Sequence, residues 1–346
     1  MNIIYLNTAE KGPSGGANII YKHSEIINNL KIKNVKSEVL HLKKKKISKI
    51  KNSIKKIFKI PQSAGWKFSD VTIAKNHKSK WIDNSTQIRN KFNFDPKNDF
   101  VIVPEIWAHF ANDLLIKNKI NYAIFVQNGY AMNFTLDYKN LFKSYKNSKF
   151  ILSYSRNISK CIKTAFNINE DKILKTNVSI RSVEKFKKKN IITFMPRKLI
   201  EHSNNLLFFI KSQLPKNWTI KAISQLNHNE TFTLLKKSRI FLSFSNMEGL
   251  GLPPLEAAIL GNKVIGYTGQ GGEEYWKSPL FEKIETGNIL KFCKIILKNI
   301  NLINNLWVKK TLKIRKKLIH KYSSEQEKVK VLKMVKIISE VLNIKL

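Results

Sequence analysis

Between Phe241 and Trp276 the chain reads FLSFSNMEGLGLPPLEAAILGNKVIGYTGQGGEEYW, an order of residue types that few folds accommodate. Ile240 to Phe244 is short, apolar and partly β-branched, as a parallel strand buried on both faces would be. Gly249 and Gly251 let the backbone approach a ligand closely or take dihedrals closed to other residues. Pro253 and Pro254 suit the first turn of a helix, where the N–H they lack would go unbonded. A helix is predicted over Leu255 to Leu260, then a second strand over Lys263 to Tyr267 and a second glycine cluster at Gly269, Gly271 and Gly272. The pattern is strand, turn, helix, strand, turn.

Such a helix turns free N–H groups and a positive dipole end toward whatever lies above the strand, and a diphosphate fits there. Glu248 and Glu256 have seven residues between them. Glu256, placed in the first helical turn, is positioned to accept hydrogen bonds from ribose hydroxyls, and Glu248 from sugar hydroxyls. The competing reading makes Glu256 a helix cap and the glycines an ordinary loop. It explains each residue singly but not the whole constellation.

The run EGLGLPPLEAAILGNKVIG resembles the donor-site signature of retaining glycosyltransferases of the family-4 type, which have the GT-B fold. The two glutamates match that family's E-x7-E pair. The resemblance implies that Glu256 binds the nucleotide ribose, that Glu248 lies beside the donor sugar, and that backbone amides around Gly249, Leu250 and Gly251 meet sugar and phosphates. It also implies two Rossmann-like, doubly wound parallel-sheet domains facing an interdomain cleft. Residues 1–178 would form the acceptor-binding domain, with the C-terminal helix 324–346 packing back on it, and residues 188–323 the donor-binding domain. The match is strongest over Phe241–Trp276, weaker from residue 191, and weakest in the N-terminal half.

The junction is expected between Asn177 and Lys189, where VSIRSVEKFKKKN is polar and charged; a strand restarts at Ile191 to Met195 and ends in Pro196-Arg197-Lys198. In the family an arginine at this place, with a lysine five positions later, neutralises the donor diphosphate. Arg197 matches the arginine. The later position is His202, so Lys198 becomes the substitute, or the diphosphate is held in another way. Trp218 to Ser224 reads as the next strand, which puts Ser224 and Gln225 near the base in such a fold, and Glu230 to Ser238 as the helix that follows.

In the N-terminal half, Ile3 to Leu6 leads into a glycine turn and a helix, and strands are expected at Phe100–Val103, Tyr122–Val126 and Phe150–Tyr154. Gly12, Gly15 and Gly16 resemble the loop that follows the first strand in GT-B enzymes and faces the cleft. Ligands of open parallel sheets bind beyond the strands' carboxyl ends. That makes His109 and Gln127 candidates on the acceptor side, although residues of these types are more often structural hydrogen-bonding groups.

Length, composition and charge bound the remaining possibilities. A chain of 346 residues with 42% apolar content can bury a core in each of two domains. No stretch approaches the roughly 20 apolar residues of a membrane span, and the N-terminus lacks the layout of a signal peptide. Cys161 and Cys293 are expected as free thiols of a reducing compartment; the histidines show no ligand spacing, and no metal or bound cofactor is expected. Net charge is +39, yet only six of the 63 basic residues are arginine, and lysine, isoleucine and asparagine are abundant together. That pattern reflects a compositional bias as much as a function.

The charges are unevenly spread. No carboxylate occurs from Val39 to Ser69, nor from Thr286 to Ser324. In the first stretch Ile47, Ile50, Ile54, Ile57 and Phe58 recur at helical spacing, so residues 43–59 are expected as a basic amphipathic helix. Such a helix either packs on its own domain or lies on an anionic membrane. The second outcome suits a cytoplasmic enzyme at the inner face of the membrane, acting on a lipid-linked or other cell-envelope glycan. The expected activity is transfer of a hexose from a nucleotide diphosphate sugar to such an acceptor with retention. A sugar-nucleotide epimerase of the same architecture is the alternative within the fold. A basic nucleic-acid-binding protein is the alternative outside it, but no motif or aromatic interleaving supports that reading, so no nucleic-acid partner is expected.

Overall fold

The computed structural model describes residues 1–9, 15–45, 68–77, 86–133, 135, 137–183, 187–302 and 305–346. Gly12, most of the basic amphipathic stretch (46–59) and residues 184–186 of the expected junction lie outside the described residues. The chain forms two compact units: Met1–Tyr154 with Ile158–Asn177 and Lys328–Leu346, and Val178–Glu327 with Ser155–Asn157.

The first unit is built on a sheet of β1 (Asn2–Thr8), β2 (Lys36–Lys44), β3 (Val71–Ile73), β4 (Ile88–Arg89), β5 (Asp99–Pro104), β6 (Asn121–Val126), β7 (Ile151–Ser153) and β8 (Ile173–Lys175). Strand order is β3-β2-β1-β5-β6-β7-β8, with β4 also on β2, and every pairing is parallel except that of β2 with β3. Ile3 to Leu6, Phe100 to Val103 and Tyr122 to Val126 are essentially inaccessible, which is why these strands read as continuous apolar runs rather than as alternation. Helices α1 (Gly15–Asn29), α2 (Tyr138–Asn147) and α3 (Arg156–Phe166) make the crossovers.

In the second unit β9 (Lys189–Phe194), β10 (Thr219–Ala222), β11 (Ser238–Glu248), β12 (Lys263–Gln270) and β13 (Phe281–Lys283) pair in parallel in the order β10-β9-β11-β12-β13. The strand order reverses between β9 and β11, the point at which an open α/β sheet leaves a crevice for ligands. Its helices are α4 (Ile200–Ile210), α5 (His228–Lys237), α6 (Leu252–Ile259), α7 (Ile289–Leu302) and α8 (Asn305–Lys321). A capping box starts α5: Asn227 accepts from the Glu230 N–H while Glu230 accepts from the Asn227 N–H.

The last helix, α9 (Ser324–Val341), buries Val331, Met334, Val335 and Ile338, and the Tyr5 hydroxyl lies 3.9 Å from Met334 Sδ. The sequence expectation carried this helix to Leu346. It stops at Val341, and Asn343 takes a left-handed φ of 54°, a common way for a helix to terminate. Among the described residues no helix is long and apolar enough to cross a membrane. Cys161 lies in α3 and Cys293 in α7, both free.

Two positions show how closely the sheets are built. Gly266 in β12 has φ +132°, and a Cβ there would stand 2.2 Å from the Ser243 carbonyl oxygen of β11. Gly287 has φ +89° but open space around it. In the first unit Glu105, just past β5, is buried and accepts the N–H groups of Gln127 (3.1 Å) and Asn128 (2.9 Å) past the end of β6. Burial pushes its carboxyl up from 4.5 to about 7, against the pull of those N–H groups.

Two outcomes follow from this geometry. Gly266→Ala should cost about 3 kcal/mol in urea unfolding, where backbone clash adds to strain, whereas Gly287→Ala should cost about 1–2 kcal/mol from strain alone. Equal losses would contradict the close approach of β11. For Glu105, the folded chain keeps a proton that the unfolded chain releases between pH 4.5 and about 7. The stability this carboxyl contributes is therefore complete below 4.5 and lost as pH rises through 7, a span of about 3 kcal/mol. Unfolding from about pH 5 to about pH 8 should show that loss relative to Glu105→Gln, whose side chain does not titrate; parallel profiles would rule it out.

Candidate functional site

At the reversal point of the second sheet, the ends of β9 and β11 carry the charged groups. Arg197 stands exposed beyond β9, and Lys198 Nζ contacts the Glu248 carboxylate at the end of β11 in a partly buried ion pair. The structure thus brings Lys198 and Glu248 together, fifty residues apart in sequence. His202, where the resembling family has lysine, is occupied otherwise: its Nδ1 lies 3.1 Å from the Tyr267 hydroxyl, which also accepts the Gly287 N–H at 3.2 Å.

The loop after β11 is fixed from behind. Leu250 is buried, and Gly251 takes φ +78° and ψ +67°, a left-handed conformation that precedes α6. The Ser155 hydroxyl donates to the Gly249 carbonyl at 2.6 Å, and the Tyr275 hydroxyl donates to the Gly251 carbonyl at 2.6 Å. The second glycine cluster presses on the first: a Cβ on Gly271 would lie 2.4 Å from the Glu248 carbonyl oxygen and 2.5 Å from Gly249. Gly269 is similarly tight against Ser245 and Glu248. Close packing of the two turns, not only conformational freedom, therefore requires glycine here.

Behind this loop stands a carboxylate hub. Glu274 accepts the Arg156 N–H at 2.7 Å, Lys321 Nζ at 2.8 Å and the Tyr322 hydroxyl at 3.1 Å, with 7% of its side chain exposed. Burial and the charges of Glu248, Glu274 and Glu256 hold the Tyr275 hydroxyl well above its ordinary titration range, so it remains a donor to Gly251.

One placement corrects the sequence reading. Helix α6 begins at Leu252, three residues before the expected start, because Gly251 turns the chain and the prolines fall directly into the opening turn. Glu256 consequently lies in the second turn rather than the first, half-buried. Ser155, Glu274, Tyr275 and Tyr322 were not singled out from sequence. Glu274 and Tyr275 sit immediately after the glycine cluster in GGEEYW, and that adjacency was the available signal. Nothing local marks Ser155.

In the first unit, Gly15 and Gly16 form the opening turn of α1 rather than a loop before it. The Gln127 side chain donates to the Gly16 carbonyl at 3.0 Å, and a Cβ on Gly16 would collide with the Gln127 amide at 2.1 Å. The Tyr154 hydroxyl donates to the Gln127 carbonyl at 2.5 Å. Gly16, Gln127 and Glu105 thus meet past the ends of the central strands, with Trp107 Nε1 donating to Thr8 Oγ1 at 3.0 Å. His109 lies in the same 105–110 turn but is buried, its ring 3.9 Å from that of Phe110. Among the described residues no group of three or more His, Cys, Asp or Glu side chains could hold a metal ion.

No protein-family model matches the sequence. No curated protein matches it either. Solved structures do. A complex of Staphylococcus aureus TarM, a single-residue variant with Fondaparinux, alpha-GlcNAc-glycerol and UDP, is 16% identical at a TM-score of 0.53 over 76% of this chain; the chain spans only 61% of that protein's length. Sucrose-phosphate synthase from Thermosynechococcus elongatus is 10% identical at a TM-score of 0.64, with 99% of both chains covered. Anabaena HepE with UDP and glucose is 10% identical at 0.62, covering 98% of this chain and 100% of that one. At these identities the likeness is one of fold, and together with the two sheets, parallel but for the β2–β3 pairing, it establishes that the chain has the GT-B fold.

Proposed function

We propose that this chain is a retaining glycosyltransferase of the family-4 type, moving a hexose from a nucleotide diphosphate sugar to a glycan or lipid-linked acceptor. The observation that carries the reading is the Lys198–Glu248 pair beside the interlocked glycine turns, at the point where the second sheet reverses its strand order. The similar TarM variant holds UDP, and HepE holds UDP and glucose, which supports a nucleotide sugar as the donor here.

In this mechanism the donor diphosphate takes Lys198 from Glu248 and is shared with Arg197 and the start of α6. These groups stabilise the charge that develops on the leaving diphosphate, and their effect is greatest where water is excluded. Glu248, released from the ion pair, holds donor sugar hydroxyls, and Glu256 holds the ribose. The amides of Gly249, Leu250 and Gly251 face sugar and phosphates. No protein nucleophile is required when the acceptor attacks the same face of the sugar that the diphosphate leaves. The chemistry calls for no metal or bound cofactor. The first unit binds the acceptor, with His109 and Gln127 as the acceptor-side candidates, while Gly15 and Gly16 are assigned to the donor. The reaction belongs to cell-envelope polysaccharide or lipopolysaccharide synthesis at the cytoplasmic face of the membrane.

UDP, GDP and ADP, each offered with the full chain, distinguish the donor by thermal shift. At about a hundredfold excess over Kd one of them should raise Tm by roughly 5–10 °C, and Glu256→Ala or Lys198→Ala should abolish the shift. No shift from any of the three would remove the basis for the donor site. With the matching sugar nucleotide, retention is read by NMR as an unchanged anomeric configuration in the product. Tyr275→Phe keeps the ring and removes the donor to Gly251, so nucleotide affinity should fall about tenfold while the fold persists. An unchanged Kd would show that the Tyr275 hydroxyl does not set the loop.

A further inference from the structure

Helix α8 carries seven lysines or arginines in 17 residues and no carboxylate. Its neighbour in sequence, α9, has four lysines but also Glu325, Glu327 and Glu340, so the bias of α8 is not a uniform property of the chain. Trp307, Thr311 and Leu318, at helical spacing, are buried and fix the inner face of α8. On the opposite face stand Leu306, Lys309, Leu312, Lys313, Lys316 and Lys317, all exposed, with Leu306 58% and Leu312 42% accessible. Two leucines are thus interleaved with four lysines on a surface that no intramolecular carboxylate neutralises from the same helix.

We propose that this face of α8 docks on an anionic lipid bilayer. Four lysine side chains reach the headgroup layer while their stems, with Leu306 and Leu312, enter the boundary of the acyl region. The complementary charge must come from outside the helix, since the sequence supplies none from Thr286 to Ser324. Exposed leucines distinguish a bilayer from a nucleic acid. A nucleic acid would be met by lysines with exposed aromatic rings for stacking, and the one Trp, Tyr or Phe of α8, Trp307, is buried, which leaves the exposed His320 imidazole at the far end of the helix. The proposal concerns residues other than the donor-binding ones and stands whether or not the proposed reaction is correct.

The test is co-sedimentation of the full chain with vesicles of phosphatidylcholine alone and of equal parts phosphatidylcholine and phosphatidylglycerol. The wild-type chain should bind the mixed vesicles and not the neutral ones, with weaker binding at high salt. One variant combines Lys309→Gln, Lys313→Gln, Lys316→Gln and Lys317→Gln; another combines Leu306→Ser with Leu312→Ser. Each lysine near an anionic surface is worth about fivefold, so the first variant should lose well over tenfold in affinity. The leucine variant should also lose about tenfold or more while its binding to duplex DNA stays unchanged. An unaltered Tm confirms that both variants fold. Failure of the wild-type chain to bind mixed vesicles overturns the proposal. So does vesicle binding that survives both variants, which would place it on another basic segment such as 43–59. Loss on lysine removal alone, shared between vesicles and DNA, would mark a general polyanion surface and overturn it equally.

Discussion

Two hydroxyls hold the loop on which the candidate site depends. Ser155 and Tyr275 each donate to a carbonyl of the Gly249–Gly251 turn. In a trans peptide the carbonyl and the following N–H point in opposite directions. Fixing the Gly249 and Gly251 carbonyls therefore turns the Leu250 and Leu252 N–H groups away from the hydroxyls, with no side chain directly involved. A buried carbonyl left without its donor costs about 1–3 kcal/mol. The turn is stable in this shape because its carbonyls are satisfied and because Gly271 packs onto the Glu248–Gly249 peptide.

The same loop explains why several acidic side chains can gather here in a strongly basic chain. Glu274 is held by a lysine, a tyrosine hydroxyl and a backbone N–H, while Glu248 is held by Lys198. Tyr275, lying among the charges of Glu248, Glu256 and Glu274, cannot ionise without adding a fourth negative charge. Its role as a donor is therefore enforced first by its burial and then by these neighbours. The Lys198–Glu248 pair differs from the Glu274 hub in being only partly buried, so an incoming anion can compete for the lysine without leaving a deeply buried charge unpaired.

The strands were legible in the sequence where burial on both faces made them continuous apolar runs, as at Ile3–Leu6, Tyr122–Val126 and Ile240–Phe244. Termini were less legible, because they depend on single residues whose conformation the pattern does not reveal. The left-handed Gly251 moved the start of α6 and with it the turn that holds Glu256, and the left-handed Asn343 lies just past the end of α9. Glu248, Glu256 and the glycines stood out because one short segment carries them. Ser155 did not, since its partner is Gly249, far along the chain, and a serine at a strand end has no distinctive pattern. The same holds for Glu105, whose burial depends on where Gln127 and Asn128 fall.

With 24 carboxylates against 63 lysines and arginines, each acidic residue in this chain is a scarce partner. Several occupy places where geometry requires one: Glu105 bridges strand ends, Glu248 meets Lys198, Glu274 joins three donors, and Asp99 accepts from Arg89 in the first sheet. Drift toward lysine would explain an excess of cations on exposed helices, but not leucines standing exposed among them. Exposing apolar area to water is unfavourable, and leucine has no role in neutralising or solvating charge. What sets Leu306 and Leu312 apart from the other exposed apolar side chains, such as Phe208 and Leu290, is their place among four lysines, and a surface that buries them while meeting the lysines accounts for both.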